Sequence, residues 1–165
     1  MKKQGFLSKL KKESKLELVE PSEEICTSYL EKADNCFRSA KLLLQNNLYE
    51  NSVSMSYYTM YDSLTALLFK IGIKCENHSA LIILFKELFD RVDLFKIISF
   101  AKEERIDKEY YITSKHDFVL TEESAKDMLT KAESFLIQIK LLINHLGIEK
   151  TEKIRNKFIS IFNTI

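Results

Sequence analysis

The chain has 165 residues and a net charge of +1, with only three Gly and one Pro. Apolar residues make up 45 % of it and charged residues 30 %, a balance that excludes a disordered chain, a collagen-like repeat and a disulfide scaffold. Average usage would give about twelve Gly and eight Pro, so the scarcity of chain breakers predicts long uninterrupted elements. The length favours one domain with enough chain for a hydrophobic core.

The first fifteen residues hold six Lys and one Glu, a local charge of +5. We expect residues 1–20 to form a flexible basic tail, in which a short helical turn can form around Phe6–Leu10. Such a tail either stays solvated or contacts RNA, DNA or an acidic partner.

Neither a secretory leader nor a membrane span is visible in the sequence. No apolar stretch follows the basic N-terminus, and no run of eighteen apolar residues occurs anywhere. The three cysteines, at positions 26, 36 and 75, lack the spacing of a metal site and fit a reducing compartment. These patterns predict a cytoplasmic protein with no membrane contact, no metal site and no cofactor.

The first two long helices are marked by their boundaries. Pro21 and Ser22, followed by two Glu, are typical of a helix start, and apolar residues then recur at helical spacing to about Asn46. A second helix is predicted from Tyr49 to Ile71, with Gly72 as the residue that ends it. Its apolar stripe is the widest, so we expect it to be the most buried helix.

The second half of the chain also contains residues that are typical of helix starts and helix ends. Asn77-His78-Ser79 opens a shorter helix, a kink or a loop is expected at 91–93, and Leu94–Arg105 has the pattern of another helix. Residues 106–120 have no clear period. Thr121 and two Glu start a third long helix that Gly147 is expected to stop, and residues 149–163 form a last amphipathic segment.

These elements predict an all-α protein, an up-and-down antiparallel bundle of four to five helices. No strand-like alternation of useful length appears. The predicted organisation is a basic tail at 1–20, a helical bundle at 21–148, and a C-terminal amphipathic helix at 149–165 that packs on the bundle or on a partner.

Two stretches carry chemistry beyond the bundle pattern. In the second helix, Tyr57 and Tyr61 share a face and Tyr58 is expected to point away; buried tyrosines need polar partners for their hydroxyls. In the stretch 103–111, Arg105 is either part of a solvated helix end or a fixed cation for phosphate. The adjacent Tyr110 and Tyr111 rings could then stack on bases. The three isolated Gly provide no phosphate loop, so any phosphate contact must come from side chains.

These stretches, in this order, resemble the HEPN domain (higher eukaryote and prokaryote nucleotide-binding) of small stand-alone prokaryotic and archaeal proteins. The resemblance covers about residues 22–146. It is carried by Lys32-Ala33, the Tyr57–Tyr61 motif with Ala66-Leu67-Leu68, Gly72-Ile73-Lys74 with His78, Arg105-Ile106-Asp107 with Tyr110-Tyr111, and Ala132 with Phe135.

The resemblance implies an up-and-down bundle that is commonly dimeric. Active HEPN members are metal-independent ribonucleases and toxins, often paired with a small nucleotidyltransferase antitoxin, and their site is an Arg followed after a short spacer by a His. In this chain the positions allowed for that His hold Tyr110, Tyr111 and Ile112. The resemblance therefore implies ligand or phosphate binding by Arg105, Asp107, Tyr110, Tyr111 and His78, and it supports no catalytic pair.

Three hypotheses stay open at this point. The first is a homodimer that binds RNA or a nucleotide, as the toxin-type member of a nucleotidyltransferase–HEPN pair. The second is a metal-independent ribonuclease that uses Arg105 with Tyr111, His116 or His78. The third is a non-catalytic partner of a nucleotidyltransferase, docking through its dimer or final helix, with Tyr110 and Tyr111 as nucleotidylation targets.

Overall fold

The computed structural model describes residues 2–110 and 120–163, with side chains from 4 to 105 and from 120 to 163. This described part contains seven helices and one two-stranded sheet, which confirms the all-α prediction. The elements in chain order are α1 Lys2–Lys12, β1 Leu16–Leu18, α2 Glu23–Gln45, α3 Tyr49–Lys70, β2 Ile73–Cys75, α4 His78–Phe89, α5 Val92–Tyr110, α6 Glu122–Asn144 and α7 Ile148–Asn163.

The helices α2 and α3 form an antiparallel hairpin whose interface is built from small side chains. Ala33 and Ala40 of α2 and Ser52 and Ser56 of α3 are all buried, and the two helices pack against each other. The Ser52 hydroxyl donates to the Ala40 carbonyl oxygen at 2.9 Å, which satisfies its hydrogen bond without a second side chain. The helix α6 packs on both α2 and α3 and completes the centre of the bundle.

The predicted helix starts are confirmed by their capping hydrogen bonds. The side chains of Ser22, Asn77 and Thr121 accept backbone N–H groups three residues ahead, at 3.2, 3.0 and 3.2 Å. The prediction that α3 is the most buried helix is also confirmed, since most of its circumference is enclosed.

One predicted helix end is wrong. The helix α6 stops at Asn144 with His145 as its cap, before it reaches Gly147. The Gly147 carbonyl oxygen instead accepts the Thr151 N–H at 3.0 Å and starts α7. Gly72, by contrast, follows α3 with a φ of +75°, the left-handed conformation that a helix-ending glycine adopts.

The expectation of a flexible tail at residues 1–20 is wrong. Residues 2–12 form α1 and residues 16–18 form β1, and the side chains of Leu7, Leu10 and Leu16 are buried. A short helix is marginal alone, and these three leucines stabilise it by packing against the rest of the protein. The strand β1 pairs antiparallel with β2, with Leu16 opposite Cys75, and both strands are too short to show an alternation.

The helix α7 is held against the bundle by Arg155. Its Nη1 donates to the carbonyl oxygens of Val19, Ile71 and Gly72 at 2.9, 2.8 and 3.1 Å. The Phe158 ring on the same helix is buried in the core. One guanidinium therefore joins α7, the end of α3 and the segment that follows β1.

The first and last helices also touch each other. Gln4 Nε2 donates to the Ile161 carbonyl oxygen at 2.8 Å, and Lys11 Nζ lies 4.5 Å from the centre of the Phe162 ring. Across residues 2–110 and 120–163 no helix is both long and apolar enough to cross a bilayer. The cytoplasmic location stays a prediction.

Candidate functional site

Arg105 continues the buried stripe of α5. Leu94, Ile98 and Ala101 are buried at helical spacing, and Arg105 lies four residues further along the same face. The stripe faces α3, so the guanidinium carbon reaches the rings of Tyr57 and Tyr58, 5.0 and 5.6 Å from their centres. These distances are within the range of cation–π attraction.

His78 reaches the same tyrosines from the start of α4. Its Nδ1 shares a hydrogen bond of 2.7 Å with the Tyr57 hydroxyl, and its ring stacks on Tyr61 with the ring centres 3.8 Å apart. The Tyr58 ring stands edge-on to His78 at 6.2 Å. The prediction that a buried tyrosine hydroxyl in this motif needs a polar partner is therefore confirmed for Tyr57.

Burial keeps these phenols protonated at neutral pH. It raises the pKa of Tyr61 to about 12 and raises the pKa of Tyr57 further, although Arg105 acts in the opposite direction on Tyr57. The two side chains therefore act as neutral hydrogen-bonding groups and ring faces.

A second cation lies one turn before Arg105. Lys102 Nζ donates to the Ser79 hydroxyl at 2.5 Å, at the start of α4. Burial lowers the pKa of Lys102, and the charge of Arg105 lowers it further. Two partly buried cations on adjacent turns of α5 favour an anion beside them, and the charge of Glu103 already acts on Lys102 in this sense.

We call Arg105, Lys102, His78, Tyr57 and Tyr58 the Arg105 site. It combines a guanidinium, whose planar fork suits two phosphate oxygens, with a lysine, an imidazole and aromatic faces. Together these groups suit the binding of a phosphate next to a flat base.

The structure brings two of the predicted site residues together. Arg105 and His78 contact the same tyrosine pair. Asp107 and Tyr110 belong to the last turns of α5, where only the backbone is described, and Tyr111 lies outside the described residues, as does His116. The roles of these residues stay predictions.

The expected direction of Tyr58 is wrong. Its ring centre is 5.6 Å from that of Tyr57, and both rings contact Arg105. Consecutive side chains on a helix point about 100° apart. The guanidinium of Arg105 lies between the directions of Tyr57 and Tyr58, so it contacts both rings.

The sequence interpretation assigned no role to Lys102 or Ser79. A signal for Lys102 was present, since it follows Ile98 by four residues on the buried side of α5. Ser79 follows the capping residue Asn77 by two, which places it at the same helix start as His78.

A separate charged group lies between α2 and α3. The Asp62 side chain is 0 % exposed, and its carboxylate accepts a hydrogen bond of 3.0 Å from Lys32 Nζ. The Cys36 thiol approaches the other carboxylate oxygen at 3.7 Å. Burial raises the pKa of Asp62, and Lys32 opposes that rise. This pair holds two helices together, and the charge of Asp62 also raises the pKa of Tyr57 in the Arg105 site.

The described ranges contain no group of three His, Cys, Asp or Glu side chains placed to hold a metal ion. The Arg105 site itself offers cations, phenols and one imidazole, a set suited to an anion.

Comparison with known proteins gives one family match. The family model described as HEPN domain matches residues 27–142. A UPF0332 protein of Thermotoga maritima is 30 % identical over 129 residues, which is 75 % of this chain and 95 % of the relative.

Two similar proteins of Methanocaldococcus jannaschii bear the name "Putative toxin". One is 29 % identical over 130 residues, covering 71 % of this chain and 87 % of the relative. The other is 28 % identical over 133 residues, covering 78 % and 88 %.

Proposed function

This chain belongs to the HEPN domain family, and from that premise we propose that it is a toxin-type member that binds RNA through the Arg105 site. The observation that carries the proposal is the guanidinium of Arg105 over the rings of Tyr57 and Tyr58. Two relatives named as toxins support the toxin part of the proposal.

Each group of the site has a role in this proposal. Arg105 binds two oxygens of one phosphate, and Lys102 adds a second positive charge on the same side of α5. The half-buried Tyr58 ring offers a face to a base. His78 keeps Tyr57 in position through their shared hydrogen bond.

The test is binding of a short single-stranded RNA, a mononucleotide and inorganic phosphate to Arg105→Met. We expect the RNA affinity to fall at least tenfold, on the order of one good charged contact. Arg38→Met is the matched control, because Arg38 is an exposed arginine on α2 whose side chain, among the described residues, bonds locally to Asn35.

Unchanged RNA binding by Arg105→Met would refute the proposal. Binding of the mononucleotide with the same affinity as the RNA would replace RNA by a nucleotide as the ligand. Both variants are first compared with the wild type by thermal unfolding, so that a folding defect is not taken for a binding defect.

A second function, metal-independent RNA cleavage, is favoured by one observation. Arg105 and His78 contact the same two tyrosines, so a phosphate-binding cation and an acid–base group share one site. With its Nδ1–H donating to the Tyr57 oxygen, His78 would use Nε2 to take the proton of a ribose 2′-hydroxyl. The 2′-oxygen would then bond to the adjacent phosphorus as the bond from phosphorus to the 5′-oxygen breaks, and the leaving 5′-oxygen would take a proton from solvent. Cleavage in a chelator by the wild type, lost in both Arg105→Met and His78→Gln, would support it. Equal cleavage by all three proteins would reject it as contamination.

The partners implied by the family stay predictions. These are a second copy of the chain and a nucleotidyltransferase. Sedimentation of the purified chain tests the first, and co-purification with a nucleotidyltransferase tests the second.

A further inference from the structure

The two ends of the described chain carry an excess of positive charge. Residues 2–15 have a net charge of +5 and α7 has +2, whereas residues 16–147 have −6. The chain is nearly neutral as a whole, but its positive and negative charges lie in different segments. Such a division creates a local positive potential that the net charge conceals.

The fold joins these two basic segments although they are far apart in sequence. The contacts of Gln4 with Ile161 and of Lys11 with Phe162 place α1 across the last turns of α7. Lys157 precedes Ile161 by one turn on the same face of α7. The basic stripe of α7 therefore leads directly to α1.

The stripe itself is regular and solvent-exposed. Lys150, Lys153 and Lys157 follow at spacings of three and four, so they share one face over about 10 Å. In the described ranges none of the three makes an ion pair at 4 Å or less. Lys11 and Lys12 are also exposed where α1 crosses the end of the stripe. We call these five lysines the terminal surface.

The apolar side of α7 is already used. Phe158 is buried, and Ile154, Ile161 and Phe162 pack against the core. Two further apolar side chains of α7, Ile148 and Ile159, are exposed, but helical spacing places them on a different side from the lysines. The side that carries the lysines therefore selects for charge rather than for an apolar groove. Glu149 and Glu152 reduce the charge of α7 but leave it positive.

The terminal surface fits an extended polyanion with regular charges. A nucleic-acid strand places a phosphate about every 3.4 Å along a helix axis, so a 10 Å stripe spans about three phosphates. Lysine binds phosphate as a point charge and does not read bases.

We propose that the terminal surface binds the phosphate backbone of single-stranded RNA, as a sequence-independent contact separate from the Arg105 site. The choice of RNA over an acidic protein rests on the proposed function. The surface lies outside residues 27–142, the part that the HEPN model matches, so it is an addition to the family's common bundle.

The experiment measures the salt dependence of binding to an oligouridine by the full chain. The variant Lys150→Gln/Lys153→Gln/Lys157→Gln should reduce the slope of log K against log salt by about 2, because each neutralised phosphate contributes about 0.7 for a single strand. The matched control removes three exposed lysines elsewhere, Lys41→Gln/Lys96→Gln/Lys126→Gln, and should leave the slope close to that of the wild type.

An equal loss of slope in both triple variants would show a general effect of net charge and overturn the proposal. An unchanged slope in the α7 variant would do the same. Polyglutamate is the second ligand. If the α7 variant loses affinity equally for polyglutamate and for oligouridine, the surface accepts an acidic polypeptide as well as RNA, and the assignment of RNA as its ligand is overturned.

Arg105→Met separates this inference from the proposed function. If Arg105→Met weakens binding and the α7 variant does not, the Arg105 site is supported and the terminal surface fails. If only the α7 variant weakens binding, the terminal surface is supported and the Arg105 site fails. The comparison requires that the variants and the wild type unfold at the same temperature. We expect this for the lysine variants because the substituted side chains are exposed.

Discussion

Arg155 and Arg105 are both partly buried arginines that join an outer helix to α3, but they are held by different groups. Arg155 Nη1 is surrounded by three backbone carbonyl oxygens at 2.8 to 3.1 Å. Arg105 lies over two aromatic rings, beside Lys102 and at the junction of three helices.

The difference supports a structural role for Arg155 and is the basis of the binding role proposed for Arg105. The carbonyls of Ile71 and Gly72 lie at the end of α3, where backbone oxygens lack helical partners, and Arg155 satisfies them. The charge of Arg105 instead lowers the pKa of the neighbouring Lys102, and Glu103 acts in the opposite direction. The surroundings of the two arginines, rather than their similar burial, are therefore the reason for proposing different roles for them.

The largest expected effect is at Gly72, beside Arg155. A Cβ at this position would lie 2.0 Å from Arg155 Nη1 and 2.4 Å from the Val19 carbonyl oxygen, and the φ of +75° disfavours any side chain. We expect Gly72→Ala to lower the free energy of unfolding by about 3 kcal/mol, measured by urea denaturation. Gly5→Ala is the control: it meets nothing within 4 Å in α1 and should raise stability by about 0.5–1 kcal/mol. If Gly72→Ala lowers the free energy of unfolding by less than an ordinary surface substitution does, the tight packing around Arg155 is contradicted.

The next effect compares the two arginines directly. Arg155→Met should lower the free energy of unfolding by about 2 kcal/mol, because three carbonyl oxygens lose a charged donor. Arg105→Met should cost about 1 kcal/mol, the value of a ring contact. RNA affinity should show the opposite order when both variants are folded. Equal losses of stability in the two variants would contradict the different roles assigned to Arg155 and Arg105. A larger fall of RNA affinity in Arg155→Met than in Arg105→Met would contradict them as well.

A third, smaller effect concerns Lys32, a cation whose partner is structural. Lys32→Met leaves the Asp62 carboxylate buried without its ammonium partner, and should cost about 1 kcal/mol at pH 7, since the Lys32 side chain is itself mostly exposed. Lys140→Met is the control and should cost less, because Lys140 and Asp34 are both partly exposed, so neither group is left fully buried without its partner.

The pH dependence of the Lys32 effect has a definite sign. Burial raises the pKa of Asp62, so the folded protein holds this proton more tightly than the unfolded chain, and stability falls as pH rises from the ordinary aspartate pKa through the folded one. Lys32 opposes the rise, so Lys32→Met should extend that loss to higher pH. Below the ordinary aspartate pKa the difference between variant and wild type should shrink. A difference that is constant with pH would contradict the pairing.

The smallest effect is a titration shift at Lys102. Because burial and the charge of Arg105 both lower the pKa of Lys102, Arg105→Met should move that pKa upward, while burial keeps it below its ordinary value. Arg155→Met should leave it in place. NMR titration of the lysine side chains measures both, and an upward shift of the Lys102 pKa in Arg155→Met alone would show that the two arginines are coupled.

The helices of the bundle were predictable because the capping residues and the apolar periodicity indicated the same helix starts. Ser22, Asn77 and Thr121 each precede an apolar period, and the caps appear where that pattern begins. The helix α1 and the strand β1 were not, because their stability comes from distant partners. Leu16, for example, is buried beside Cys75, and nothing within its own short strand indicates that contact.

The candidate site was predictable in part. The order of motifs indicated Arg105 and His78, and the structure places both on the Tyr57 and Tyr58 rings. The role of Lys102 depends on how α5 meets the start of α4, a tertiary relation that spacing within one helix does not contain.

The bond between Arg155 and Val19 also has a consequence for synthesis on the ribosome. It joins residues 136 positions apart, so it forms only after nearly the whole described chain has been translated. Until then the carbonyl groups at the end of α3 lack this donor, and α1 lacks the α7 surface that it contacts. We therefore expect nascent chains that stop before residue 148 to be more sensitive to proteolysis around β1 and Gly72 than released chains.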